Sequence, residues 1–261
     1  TEGELLPNQV DNKLVLNESL QIENIEAERT GSDTLEARIE INNPLNLKID
    51  RIIVDGLYIE ITRNVNQNGK TYIDFNGTVD KYYDNYNIEQ IEYENSNGEQ
   101  QKIETAGKID LQFFKELYSF EDWQSIDTES YQNYRLMADI DFSGRNNIKS
   151  NVLINRLETD GQIYALKNIS LNFNTANSGL IRRIKTNLEN IRFENIEIDA
   201  TEQQVDFIGV IAISNANINN LSLHDITIKS KGTYVGFLAD SQGDTMNNVN
   251  AEQIDVTGYG Y

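Results

Sequence analysis

His224 is the single histidine of this chain, and there is no cysteine at all. A zinc ion needs three or four convergent ligands, and one imidazole supplies one. In LSLHDITI, His224 takes the outward position that Glu194 and Glu252 hold in neighbouring repeats, so it reads as a solvated corner residue. Asp139 and Asp141 in ADIDF are two residues apart and share one face of a strand. Such a carboxylate pair could run acid–base chemistry or hold calcium. The alternation with Ala138, Ile140 and Phe142 makes the wet face of a first coil the plainer account, and no Asp/Asn-rich loop with a glycine turn accompanies it. Arg182, Arg183 and Lys185 are expected in a corner, bridged to surrounding acids. The chain has no GxSxG nucleophile motif, and Gly209 and Gly236 lack the GxxxxGK context of a phosphate cradle. Tyr82, Tyr83 and Tyr86 are a possible ligand surface, although a half-buried tyrosine patch at a strand end is the simpler reading. No residue is assigned a catalytic or metal-binding role, and no cofactor is expected in this segment.

Composition bounds the partners. With 42 acidic against 22 basic side chains, the net charge of −20 argues against nucleic acid, whose phosphates call for clustered lysine and arginine. No apolar run approaches the roughly 18 residues of a membrane span, so no membrane insertion is expected. Without cysteine, an extracellular setting would suit a bacterial surface chain better than a disulfide-stapled secreted domain. Thr1 opens no signal peptide, and the chain reads as an excised or processed piece.

The elements that must position these residues announce themselves by repetition. LENIRFENIEI from Leu188, INNLSLHDITI from Ile218 and MNNVNAEQIDV from Met246 are one pattern, and each follows a glycine-centred apolar run at Gly179, Gly209 or Gly236. The starts lie 30 and then 28 residues apart, a period typical of solenoids, in which stacking supplies the core that no unit makes alone. The inward set is expected to be Leu188, Ile191, Phe193, Ile196 and Ile198, with their counterparts 218–228 and 246–256. A weaker copy, LKNISLNF, starts at Leu166. The third position is asparagine each time, at Asn168, Asn190, Asn220 and Asn248, which predicts one amide ladder along the stack. The phase shifts by one residue after Phe193, Leu223 and Ala251, as a bend between short strands requires. With the glycine run as a third strand, the pattern predicts a parallel β-helix, right-handed by the general crossover rule.

Read in order, the chain divides into a polar leader (1–12), an antiparallel β-module (13–109), a helical cap or linker (110–132) and the parallel β-helix (133–261), truncated at its C-terminal end. The module shows period-2 alternation in TLEARIEIN, with turn signals at Asp55-Gly56, Asn68-Gly69 and Ser96-Asn97-Gly98. Residues 1–110 carry 22 acidic and 10 basic side chains, more than half of the net charge. In 111–126, Phe114, Leu117 and Trp123 recur at helical spacing, and Ser119 with Asp122 predicts a capping box. Phe114 and Trp123 are expected to cover the open end of the first coil.

The glycine run followed by the asparagine segment resembles the GLUG-type repeat of bacterial surface proteins. FEDWQSI with NYRLMADIDFSG resembles the entry to the β-helix in the N-terminal half of Gram-positive immunoglobulin A proteases and related surface zinc metallopeptidases, and LNLKIDRIIVDGLYIEI is similar to the module before that helix. The resemblance would span most of 34–258. It implies a non-catalytic, substrate-engaging or spacing region of a secreted or wall-associated metalloendopeptidase, with host immunoglobulin A or another host glycoprotein as partner. Zinc and its HExxH motif are then expected in the parent's downstream catalytic domain, not here. GLUG-like repeats also occur in adhesins, so a host-binding stalk stands beside this reading, and a polysaccharide-active β-helix enzyme ranks below both.

Overall fold

The computed structural model describes residues 20–202, 206–242 and 245–258; the expected leader, the first residues of the β-module and the YGY tail lie outside them. The chain forms two compact units, 1–113 and 114–261.

The first unit is an antiparallel sandwich. Its strands are β1 (Gln21–Arg29), β2 (Thr34–Asn42), β3 (Lys48–Val54), β4 (Leu57–Gln67), β5 (Lys70–Val79), β6 (Tyr86–Glu94) and β7 (Gln100–Ile109). One sheet runs β1-β2-β5-β4 and the other β3-β6-β7. Alternation does the sorting: Leu35, Ile39 and Ile41 of β2 point inward with Ile73 and Phe75 of β5, and meet Ile49, Ile52, Ile88 and Ile91 of the facing sheet in one core. Each such aliphatic side chain contributes about 1.5–3 kcal/mol on burial. Asn68 and Gly69 have φ of 54° and 76° and close the β4–β5 hairpin with Gln67 opposite Lys70, the two-residue turn that right-twisted strands favour. The dipeptide Asp55-Gly56, suited by its sequence to a tight hairpin turn, does not close a hairpin. Gly56 does turn the chain, at φ 79°, but β3 and β4 belong to different sheets, so this turn carries the chain across the sandwich.

The second unit is a parallel β-solenoid of about four turns. It comprises β8 (Lys115–Leu117), α1 (Phe120–Gln124), β9 (Gln132–Leu136), β10 (Ile140–Asp141), β11 (Val152–Thr159), β12 (Tyr164–Asn172), β13 (Ser178–Glu189), β14 (Ile191–Ala200), β15 (Phe207–Ser214), β16 (Asn217–Ser230), β17 (Tyr234–Ser241) and β18 (Thr245–Gly258). The repeat period becomes register: Leu188 pairs with Ile218 and Ile218 with Met246, while Phe193 pairs with Leu223 and Leu223 with Ala251. Ile191, Phe193, Ile196 and Ile198 are buried, as are Ile218, Ile226 and Ile228.

The helical reading of 110–132 shrinks to five residues. Phe114 precedes β8, and Lys115–Leu117 pairs in parallel with Tyr134–Leu136 of β9. Over so short a stretch spacing alone does not decide between helix and strand, and the hydrogen bonds offered by β9 do. The helix itself starts where the capping signal placed it. Ser119 Oγ accepts from the Asp122 backbone N–H at 3.2 Å, and Asp122 Oδ2 accepts from the Tyr118 N–H at 2.9 Å.

Candidate functional site

The positions singled out by the repeat hold the solenoid's corners. Asn190, Asn220 and Asn248 all have left-handed backbones, with φ of 58°, 51° and 51°. Asparagine tolerates this region better than other side chains with a Cβ. Asn248 Nδ2 donates to Asn220 Oδ1 at 2.7 Å, and Asn220 Nδ2 to Asn190 Oδ1 at 2.8 Å. Asn168 does not continue this ladder, contrary to the expectation from sequence. Ile169 pairs with Ile196, which places Asn168 beside Asn195 at the other bend. There Asn195 Nδ2 donates to Asn168 Oδ1 at 2.7 Å, and Asn168 Nδ2 donates to Asp141 Oδ1 at 2.9 Å. Asp225 and Gln253 continue the left-handed bend with φ of 53° and 55°. The stack thus carries two columns of polar bends.

Gly179, Gly209 and Gly236 lie in register on β13, β15 and β17. A Cβ on Gly179 would come within 2.6 Å of Gly209 O, and one on Gly209 within 2.4 Å of Gly236 O. Close carbonyl approach, not a positive φ, excludes larger residues here. Asn151 tops the column, its Oδ1 accepting from the Gly179 N–H at 3.0 Å. The cap is equally structural. Trp123 is fully buried, its Nε1 donates to Lys149 O at 2.9 Å, and its ring meets Phe142 edge-on with centroids 5.8 Å apart. Phe114 is buried with the Arg135 guanidinium 4.2 Å above its ring.

Five titratable residues fall on one outward column. Pairing runs Asp141, Lys167, Glu194, His224, Glu252, one residue per coil. Neighbouring coils are about 4.8 Å apart, so these groups form a line along the stack. Lys167 Nζ reaches Asp139 Oδ2 at 3.2 Å, Arg192 Nε reaches Glu194 Oε2 at 3.1 Å, and His224 Nδ1 lies 3.4 Å from Glu252 Oε2, with Nε2 3.1 Å from Ser222 Oγ. Asp139 is anchored further by the Ala165 backbone N–H at 2.8 Å. Burial pushes its carboxyl upward, but the Ala165 N–H, Lys167 and Arg192 together outweigh this and hold it below the usual value. Asp141 also sits below that value, chiefly through the amide of Asn168 and then the Ser143 N–H. Each aspartate therefore serves as a hydrogen-bond terminus for the next coil.

Arg182 and Arg183 lie in the stretch of β13 that pairs with β15, and Lys185 follows at the break before the stretch that pairs with β16, its ammonium 3.5 Å above the Tyr131 ring. Lys185 thus makes a cation–π contact, a use the sequence did not suggest. Tyr86 is fully buried in the sandwich core, with its hydroxyl donating to Lys81 O at 3.0 Å; burial drives its phenol pKa strongly upward. Tyr82 and Tyr83 are half-buried and packed against the same core. The three tyrosines thus form a packed cluster with Tyr86 closed to any ligand.

A groove of about 700 Å³ on the sandwich, lined among others by Glu26, Glu28, Glu36, Arg38, Asp74 and Asn76, has no signature in the sequence. Its charges come together only through the register of β1, β2 and β5. Glu28 pairs with Glu36, and Glu26 with Arg38, which pairs with Asp74. Arg38 grips Asp74 through Nε at 2.6 Å and Nη2 at 3.1 Å. Hydrogen bonding to Arg38, helped by Arg63, lowers the Asp74 pKa. Among the described residues, no group of three or more His, Cys, Asp or Glu side chains is placed to hold a metal ion, and no helix is long and apolar enough to cross a membrane. No family model, curated protein or solved structure matches this chain.

Proposed function

We propose that this chain is a non-catalytic, substrate-engaging or spacing region of a secreted or wall-associated bacterial zinc metalloendopeptidase that acts on host immunoglobulin A or another host glycoprotein. The observation that carries the reading is the linear ladder of charges and amides along the solenoid. Lys167 to Asp139 and His224 to Glu252 are contacts that cross between coils, as the amides do, which suits a stiff spacer. About four turns at ~4.8 Å per coil make a column of roughly 15–20 Å. The resemblance of FEDWQSI with NYRLMADIDFSG to the β-helix entry of surface metallopeptidases supplies the link to that family, and the zinc would belong to the parent's catalytic domain. The test is surface plasmon resonance of the full chain against intact immunoglobulin A, with cleavage assays of the parent with and without this region. Absence of both binding and any effect of the deletion on cleavage would remove the reading.

The groove beside Arg38 and Asp74 favours a second reading, a host-binding adhesin or stalk in which the sandwich itself takes the ligand. Glycan-array binding that is lost in Arg38→Ala, with no protease partner required, would select it.

A further inference from the structure

The corner that follows β8, β9 and β11 departs from the solenoid's habit of burying its large side chains. Outside the last two strands, the large apolar side chains that stand exposed among the described residues are Leu45, Tyr58, Tyr118 and Ile163, and the last two share this corner, at 53% and 55%. Register assembles it. Leu117 pairs with Leu136 and Leu136 with Thr159, so Tyr118, the half-buried Met137 and Asp160 follow one residue on, and the Met137 N–H donates to Leu117 O at 2.9 Å. Gly161, at φ 101°, then turns the chain back past Ile163 to Tyr164. Both phenols are tied to carboxylates: Tyr118 Oη donates to Glu116 Oε2 at 2.6 Å, and Tyr164 Oη to Asp160 Oδ2 at 3.4 Å. An exposed apolar patch rimmed by polar groups marks an interaction surface.

The field at this corner is negative. Lys167 is engaged by Asp139, and among the described residues no cation pairs with Glu116, Asp122 or Asp160. The Tyr118 phenol pKa is raised accordingly, first by the hydrogen bond to Glu116, then by desolvation and by the charges of Glu116, Asp122 and Asp160. We propose that this corner docks a basic, partly apolar peptide segment of a partner protein, with a lysine or arginine over the Tyr118 ring and aliphatic side chains on Ile163 and Met137. Charge complementarity selects the occupant: an electron-rich ring face and unpaired carboxylates both attract a cation, and both repel an anionic chain. The protein's own cations already sit this way, the Arg145 guanidinium 4.8 Å from the Phe120 ring centre and the Lys185 ammonium 3.5 Å from that of Tyr131. A second copy of this chain, at a net charge of −20, is repelled. The inference does not rest on the parent's being a peptidase.

The probe is a short fluorescein-labelled peptide of alternating lysine and leucine, titrated with the full chain by fluorescence polarisation at about 0.15 M salt, where diffuse attraction is largely screened. Tyr118→Leu, which keeps bulk but removes the ring, is expected to weaken binding about fivefold, and Tyr118→Phe less than about twofold. Glu116→Gln is expected to weaken it about threefold, whereas Glu104→Gln, which removes an equal exposed charge on β7, changes it by less than about 1.5-fold. Equal losses in Glu116→Gln and Glu104→Gln would overturn the proposal by showing only diffuse attraction to an acidic protein. Binding unchanged in Tyr118→Leu would overturn it as well, as would a phenylalanine variant as weak as leucine. A neutral oligosaccharide such as maltohexaose is the competing probe. If it binds in a Tyr118-dependent manner and the peptide does not, the corner takes a glycan and the choice of a cationic peptide is overturned.

Discussion

Asn248 donates from Nδ2 to Oδ1 of Asn220 across 2.7 Å, with both backbones in the left-handed region at φ 51°. One residue type therefore solves two problems at the bend. It accepts the strained backbone and passes a hydrogen bond to the next coil.

Asn220 sits in the middle of this ladder, donating upward to Asn190 and accepting from Asn248. Asn220→Ala loses both bonds and keeps a Cβ at positive φ, and the expected cost is about 2–4 kcal/mol. Asn220→Gly removes the strain but not the loss of bonding, so it is expected to cost less than alanine. Urea denaturation of the three proteins ranks them; alanine as stable as wild type would refute the ladder.

Gly209 is more closely pressed than Gly179, since a methyl group placed on its Cα would stand 2.4 Å from Gly236 O. Gly209→Ala forces β15 and β17 apart and is expected to destabilise by at least about 3 kcal/mol, at the upper end of overpacking costs. Gly144, with open space around it, has no such neighbour, but its φ of 66° means that Gly144→Ala costs about 1 kcal/mol from backbone strain alone. Thermal melts of both variants check the order.

The solenoid and its glycine column were legible because a stack turns sequence period directly into spatial register. The ladder of Asn168 was not. LKNIS matches both LENIR and FENIE, the two bends of one coil, and only the pairing of Ile169 with Ile196 chooses between them. Similarly, Asp55-Gly56 and Asn68-Gly69 look alike locally, yet one crosses between sheets and the other closes a hairpin. The groove at Arg38 and Asp74 was invisible, since those residues are 36 apart and meet only through β2–β5 register.

Acidification should loosen the second bend column first. The folded-state pKa of Asp141 lies below its ordinary value of 3.8, through Asn168 and Ser143. A depressed carboxylate contributes its stability fully above the unfolded value and loses it as pH falls through the folded one. Asp141→Asn keeps an acceptor for Asn168 but cannot titrate. The stability difference between wild type and this variant is expected to favour wild type at pH 6 and to shrink below pH 4. A difference that is constant over that range in urea melts would contradict the assignment.

Glu28 and Glu36 face each other across β1 and β2, and like charges directly opposite weaken a sheet. Glu36→Lys converts repulsion to attraction on an exposed surface. Stability is expected to rise by about 0.2–1 kcal/mol at low salt, with the gain fading at about 1 M sodium chloride as screening sets in. Chemical denaturation at the two ionic strengths separates this from a change in packing, which salt would leave in place.

Trp123 joins α1 to the first coil in two separable ways: an aromatic face against Phe142 and an indole N–H to Lys149 O. Trp123→Phe retains a ring but leaves the Lys149 carbonyl without that donor, and is expected to cost about 1–3 kcal/mol. Trp123→Ala also removes the packing and is expected to cost about 3–5 kcal/mol. Because each coil is supported mainly by its neighbours, the damage should concentrate near β9 and β11 and fade towards β17. Hydrogen exchange resolved by peptide distinguishes this from uniform loosening, which would mean that the helix stabilises the stack as a whole and not as a local cover.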